Sequence, residues 1–297
     1  MKLFDCFMYY DEDLLLNIRL NILSKFVDKF VISEAKYLHN GKRKKLNFQI
    51  NKFDKFKNKI EYIVVDKEPN NIIPISSNDN IQTADEKKIL NSLKRENFQR
   101  EMLSKGLANI DNEDVIMVSD IDEIPNLDNF KLNELNNEIA IFKQKMFYYK
   151  FNLYYENFIW FGSKAVKKKK FISPQWLRNI KNKNYAFWRV DTLFSKKKYN
   201  NIKFIEDGGW HFTCIKKPQD VHEKLLSYLH HQDYENSNLN IDKLKDKMTN
   251  KEILYDHSKD KKKENKWLTN KKLKNIEIDL LPEYIRNNKN NYQEWFD

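Results

Sequence analysis

Two aspartates one residue apart, Asp120 and Asp122, follow the apolar run Val115-Ile116-Met117-Val118, within Ser119-Asp120-Ile121-Asp122-Glu123-Ile124-Pro125. On an extended tip, side chains repeat every second residue, so both carboxylates project to one side and offer oxygen ligands to Mn²⁺ or Mg²⁺. Carboxylates crowded in this way repel one another, and a divalent cation is the usual relief. A pair of aspartates after a strand also serves as a turn or a helix cap, and the triplet alone leaves that reading open. His211 is a second candidate ligand, in Asp207-Gly208-Gly209-Trp210-His211-Phe212-Thr213. The chain has only 5 glycines, so two adjacent ones mark a sharp turn or a close backbone approach. A histidine between Trp and Phe is either a core residue or a ligand, and spacing does not choose.

The elements that must position these residues read as α/β. Strands are expected at Lys2 to Tyr9, Lys29 to Ser33, Ile60 to Asp66 and Val115 to Val118, with a helix from Asp11 or Asp13 to about Lys25. This alternation predicts a mostly parallel central sheet with flanking helices. Ligands of such sheets bind beyond the carboxyl ends of the strands, where Asp120 and Asp122 stand. The polar loop from Lys67 to Thr83 is either a lid or an insertion. Asp85 to Ile110 is expected as one helix with Ile89, Leu93, Leu103, Leu107 and Ile110 on a single stripe. Glu96 and Arg100 fall on that same stripe, as an i,i+4 ion pair.

From Glu138 to Cys214 the pattern changes to aromatic, strand-like segments, among them Phe147 to Tyr155, Phe158 to Phe161 and Tyr185 to Phe194. These predict a mixed, aromatic-rich second half. Pro218 to about Tyr234 reads as helix, and residues 236–297 as a basic, partly helical C-terminal extension.

With 297 residues, 40% of them hydrophobic and 14% aromatic, the chain can build a real core, which excludes a disordered protein. The net charge of +11 suits a nucleic acid, a phosphorylated ligand or an anionic membrane surface. The excess of Lys over Arg also reads as compositional bias, and part of the charge is discounted for it. Cys6 and Cys214 are too few for a disulfide framework, which suits a reducing cytoplasm. No apolar run approaches the ~20 residues needed to span a bilayer, and there is no signal-peptide pattern. A cytoplasmic location, with membrane contact at most peripheral, is the expectation.

Several segments together resemble glycosyltransferase family 17, the family of the bisecting N-acetylglucosaminyltransferase of N-glycans. They are Asp5-Cys6-Phe7 with Glu12, Leu16-Asn17-Ile18-Arg19-Leu20, Phe30-Val31-Ile32-Ser33-Glu34, Arg95-Glu96 with Phe98-Gln99-Arg100, the Ser119 to Pro125 stretch, and Gly209-Trp210-His211-Phe212-Thr213. They run in the family's order over about Lys2 to Asp233. Leu93-Lys94 departs from the family's aromatic-acidic pair, and the 67–83 loop has no clear counterpart.

The resemblance implies a GT-A-like domain over 1–235, with a nucleotide-sugar half (1–125) and an acceptor half (126–235). It implies inverting transfer from a nucleotide sugar, with UDP-N-acetylglucosamine the best-known donor, to a glycan or glycolipid acceptor. Asp120, Asp122 and His211 would hold the metal; Glu34, Arg95, Gln99, Arg100 and Asp120 would contact the donor. An inverting transfer also needs a base, and Asp207 leads, with Glu206, Asp191 and Glu123 as alternatives. Lys224 and His230 resemble a further family segment, or form the wet face of a helix.

Three rivals remain on the residues alone. A toprim-like metal-dependent nucleic-acid enzyme would use Glu34 with the aspartate pair, but leaves the aromatic second half without a role, so no nucleic-acid partner is expected. An aspartyl-phosphate phosphatase carries its Asp-X-Asp after the first strand. A basic glycan-binding protein without turnover is the third.

Overall fold

The computed structural model describes residues 1–297 except 137, 187, 193, 228–233, 235, 236, 238 and 259–264. Four apolar runs form β1 (Leu3–Met8), β2 (Lys29–Ala35), β3 (Ile60–Val65) and β4 (Val115–Ser119). They lie side by side in the order β3-β2-β1-β4, all parallel. Parallel neighbours need crossovers, which α1 (Asp13–Leu23) and α2 (Ile81–Glu101) supply. The apolar face of α1 (Leu15, Leu16, Ile18, Leu20, Leu23) is buried against the sheet. Because these strands run the same way, their carboxyl ends open onto one edge.

Beyond β4 the sheet changes character. The remaining strands are β5 (Glu123–Pro125), β6 (Ile139–Tyr148), β7 (Leu153–Lys167), β8 (Ile202–Ile205), β9 (Gly209–Thr213) and β10 (Lys274–Asn275). β7 pairs antiparallel with both β4 and β6, β9 runs parallel to β6, and β5 antiparallel to β9. The ten-stranded sheet is therefore mixed, which corrects the expectation of a mostly parallel one. The reason is the tight turn between β6 and β7, where Tyr149 takes a φ of 63°. A link that short can join only antiparallel neighbours.

Two further expectations change. The long helix begins at Ile81, where the Asn80 side chain accepts from Thr83 N, and gives way after Glu101 to a 3-10 turn, Met102–Leu107. Leu103 and Leu107 are buried as expected, but Leu93 is exposed, and the buried positions of α2 are Asn91, Ser92, Gln99 and Arg100. That helix packs a polar face over the open edge of the sheet, so the apolar stripe does not extend along it. The stretch from Tyr185 to Phe194 contains a 3-10 turn, Val190–Thr192, in place of a strand. The short helix α3 (Pro174–Asn179), capped by the Ser173 side chain, precedes it.

After α4 (Pro218–Ser227), the described residues of the C-terminal segment pack back onto the rest of the chain. They contain the helices Ile241–Thr249 and Glu283–Asn287. Leu281, Ile285 and Tyr292 join the same core as α1, β10 extends the sheet beside β7, and Leu254 and Trp267 pack with Tyr148 and Val221. Among the described residues no helix is long and apolar enough to cross a membrane.

Candidate active site

A cleft of about 460 Å³ opens at the carboxyl edge of the parallel strands. Its walls come from the end of β1 (Met8 to Tyr10), the stretch Tyr37 to His39 after β2, α2 (Glu96, Gln99), the Asp120 to Asp122 segment, His211 on β9, Lys224 on α4, and Tyr255 and Trp267 from the C-terminal segment.

Asp120 and Asp122 both face this cleft, on a turn and not on an extended tip. Glu123 N donates to Asp120 O at 3.0 Å, and Asp120 N donates to the Glu123 carboxylate at 2.8 Å. The turn points the two carboxylates at different partners. Asp120 accepts from Arg178 at 2.8 Å and from Arg100 at 3.3 Å. Desolvation raises the Asp120 carboxyl pKa, but the two guanidiniums outweigh it and hold the group below the usual carboxylate range. Asp122 lies 3.5 Å from His211 Nε2. Desolvation opposes its charge as well, and His211 and Lys224 pull the carboxyl down to about 2.

His211 reaches Asp122 through strand register. β5 and β9 pair Glu123 with His211, and Phe212 N donates to Asp122 O at 2.9 Å. That pairing depends on Gly209, whose φ is +122° and where an added Cβ would sit 2.2 Å from Ile124 O. Trp160 packs its ring 4.6 Å from the His211 ring, and His211 Nδ1 is buried with no hydrogen-bond partner among the described residues.

Glu123 holds the turn from beneath. It is fully buried and accepts from Asp120 N, Trp160 Nε1 (2.7 Å) and both Arg178 terminal nitrogens (2.8 and 3.0 Å). Arg19, buried in α1 and paired with Asp5 at 2.6 Å, also donates to Glu123 O at 2.6 Å. Arg178 is the functional residue the sequence reading missed. Its capped helix is visible in Ser173-Pro174, but nothing in the spacing says that its last turn lands on Asp120.

The other sequence candidates separate into two groups. Gln99 lines the cleft, donating to Ser33 O at 3.0 Å and lying 3.4 Å from His39 Nε2. Burial lowers the His39 pKa, which favours a neutral ring. Arg100 sits behind the wall, bound to Glu96 (2.7 Å), Gln175 (2.6 Å) and Asp120. Glu34 is fully buried and accepts from Asn47 N, Phe48 N, Tyr62 Oη and Lys44, so it shapes the loop that brings Lys44 to the cleft. Arg95 binds Glu68 at 2.8 Å and His39 O at 3.2 Å, away from the cleft lining.

Asp207 and Glu206 are not brought to the cleft. They stand exposed on the β8–β9 turn, paired with Lys145 and Lys143. Asp191 is taken by Arg189 and Lys198. Among the carboxylates that do face the cleft, Glu12 accepts from Lys224 at 3.0 Å and from the backbone of Tyr10 and Asp11. Glu96 uses one oxygen on Arg100, and its Oε2 is buried without a partner among the described residues. Lys224 is opposed by desolvation, but Glu12 and Asp122 raise its pKa and keep it a cation. His230 lies outside the described residues.

No three His, Cys, Asp or Glu side chains among the described residues are grouped to hold a metal ion. With Asp120 engaged by two arginines, the donor set that fits a divalent cation is Asp122 with His211. A site of so few protein ligands suits Mn²⁺ or Mg²⁺ completed by ligand phosphate oxygens and water.

No curated protein matches the chain. The model of glycosyltransferase family 17 matches residues 1–295, which includes the C-terminal segment that the motifs alone left outside. That match removes the nucleic-acid-enzyme and phosphatase readings. The acidic turn read from the sequence, its place at the edge of the cleft and a family match over nearly the whole chain thus converge, and the chain belongs to glycosyltransferase family 17.

Proposed function

We propose that the chain is a metal-dependent, inverting glycosyltransferase of GT-A-like design that moves a sugar, N-acetylglucosamine from a UDP donor, to a hydroxyl of a glycan or glycolipid acceptor. The observation that carries this reading is the Asp120 to Asp122 turn at the carboxyl end of β4, facing the cleft with His211 3.5 Å from Asp122. Asp122 and His211 would hold Mn²⁺ or Mg²⁺. When bound, the cation supplies charge that stabilises a diphosphate as it leaves.

The chain's own groups do the rest. Tyr10 and Leu38, with the buried Tyr9 and Tyr37 behind them, line the cleft at the ends of β1 and β2, the edge where a nucleoside would bind. Lys224 faces the same space and adds a cation toward the diphosphate. Asp120, fixed by Arg178 and Arg100, accepts hydrogen bonds from donor hydroxyls.

In the transfer, the acceptor oxygen bonds to the anomeric carbon, the bond from that carbon to the diphosphate oxygen breaks, and its electron pair leaves with the diphosphate. The hydroxyl proton goes to a carboxylate. Exposure of Asp207 and Glu206 argues against them, and the unengaged Oε2 supports Glu96 for this role. The test is hydrolysis of a panel of nucleotide sugars by the purified chain with Mn²⁺, before and after EDTA. Turnover of one donor that EDTA stops supports the reading; no turnover and no nucleotide binding would refute it.

A further inference from the structure

The positive charge of the chain is concentrated in one place. Residues 164 to 203 hold thirteen Lys and Arg and one acid, Asp191, so this stretch carries a formal +12 against +11 for all 297 residues. Compositional bias would spread lysine evenly; here the rest of the chain is close to neutral. Lys164, Lys167 and Arg178 turn inward, Lys167 onto Glu113 and Arg178 onto Asp120 and Glu123, but the other ten Lys and Arg of the stretch are partly or fully exposed and make a positive surface that suits an anionic partner.

That surface is one folded unit. Phe171 packs against Trp176 of α3, Trp176 donates to Tyr199 Oη at 3.1 Å, and Lys181 N donates to Lys197 O at 2.8 Å. Lys183 and Lys198 lie over the Tyr185 ring at 5.8 and 5.9 Å. Lys181, Lys183, Lys196 and Lys197 thus crowd together, and all four are exposed.

The same unit exposes large apolar side chains. Ile172 is 61% exposed, Trp188 72% and Phe194 86%, among the most exposed hydrophobic residues of the protein. Exposed apolar groups set among lysines are wasted on a partner that stays in water. At a bilayer they enter the interface while the lysines meet the headgroups. Lysine in place of arginine fits attraction to a diffuse negative surface better than bidentate reading of individual phosphates.

We infer that the described residues of 168–200 form a docking surface for an anionic lipid bilayer, with Trp188, Phe194 and Ile172 entering the headgroup region. α3 ties this surface to the cleft, because its Arg178 binds Asp120. Docking would bring the cleft beside lipid-linked substrates. The inference does not depend on the donor or on the metal.

The experiment is sedimentation of the full chain with vesicles of phosphatidylcholine alone and of phosphatidylcholine and phosphatidylglycerol in equal parts. The wild-type chain is expected to partition onto the anionic vesicles only. Lys196→Ala with Lys197→Ala should weaken partitioning roughly 25-fold, at about fivefold per lysine. Trp188→Ser with Phe194→Ser should weaken it roughly tenfold, with an unchanged melting temperature. Equal partitioning onto both vesicles, or onto neither, overturns the inference. So does binding to heparin and anionic vesicles alike that ignores the aromatic pair, since that result identifies a soluble polyanion as the partner.

Discussion

Arg178 Nη2 donates to Asp120 Oδ2 at 2.8 Å while its Nη1 holds the buried Glu123 at the same distance. One guanidinium thus spans the turn and fixes the direction of the first aspartate. Removing it would leave Glu123 without its principal counter-charge in a fully buried position. Arg178→Ala is expected to destabilise the fold by about 3 kcal/mol. Urea unfolding should show it as a lowered midpoint with the slope unchanged, and Arg178→Lys should recover only part, because an ammonium cannot bridge both carboxylates.

Asp122→Asn keeps the size of the side chain and removes the charge that faces His211. Donor turnover is expected to fall by at least ~100-fold, as for loss of a group that acts in the transition state. Thermal stability should fall as well, because a carboxyl held at about 2 by His211 and Lys224 stabilises the fold at neutral pH, and a folded variant without turnover separates the two effects. A variant that keeps Mn²⁺-dependent turnover would show that the cation binds elsewhere.

Glu96→Gln leaves an amide where a proton acceptor stood. We expect kcat to drop by ~100-fold or more with donor KM nearly unchanged. A comparable loss in Asp207→Asn or Glu206→Gln would return the base to the β8–β9 turn.

Gly209→Ala places a Cβ 2.2 Å from Ile124 O and 2.6 Å from Asn126 N, at a φ that L residues rarely adopt. The β5–β9 pairing cannot absorb such a contact without shifting. Both stability and turnover should fall, because His211 is set opposite Glu123 by that pairing. Differential scanning calorimetry and the donor assay check the two arms.

Lys164 gives a pH signature. Desolvation, with Arg178 nearby, pushes its pKa down to about 7, while its Nζ donates to the carbonyls of Arg178 and Ile180. Between about 7 and the ordinary lysine pKa near ~10.4, the unfolded chain binds a proton that the folded chain does not, so stability rises with pH across that window. Below pH 7 both states are protonated and the slope ends. Denaturation midpoints at pH 6.5, 8 and 9.5 should climb, and Lys164→Met should flatten the climb.

The sequence determined the parallel half and the acidic turn. Apolar runs too short for helices, separated by an amphipathic helix, can pack only as neighbouring strands with a crossover, and β1, β2, β3 and β4 lie close to where the runs place them. Because the strands share a direction, whatever follows β4 must open on the ligand-binding edge, and that is Asp120 to Asp122. The full burial of Glu34 and Arg19 was not legible, since local spacing does not say which polar groups will find partners across the fold.

Tertiary structure decided the rest. The antiparallel entry of β7 beside β4 made the sheet mixed, and only that arrangement carries α3 and its Arg178 to Asp120. The register of β9 on β5 joined His211 to Asp122, and the same turn left Asp207 and Glu206 in solvent. These are contacts between residues distant in the chain, fixed by hydrogen-bonded register and packing, and no local pattern of residue types encodes them.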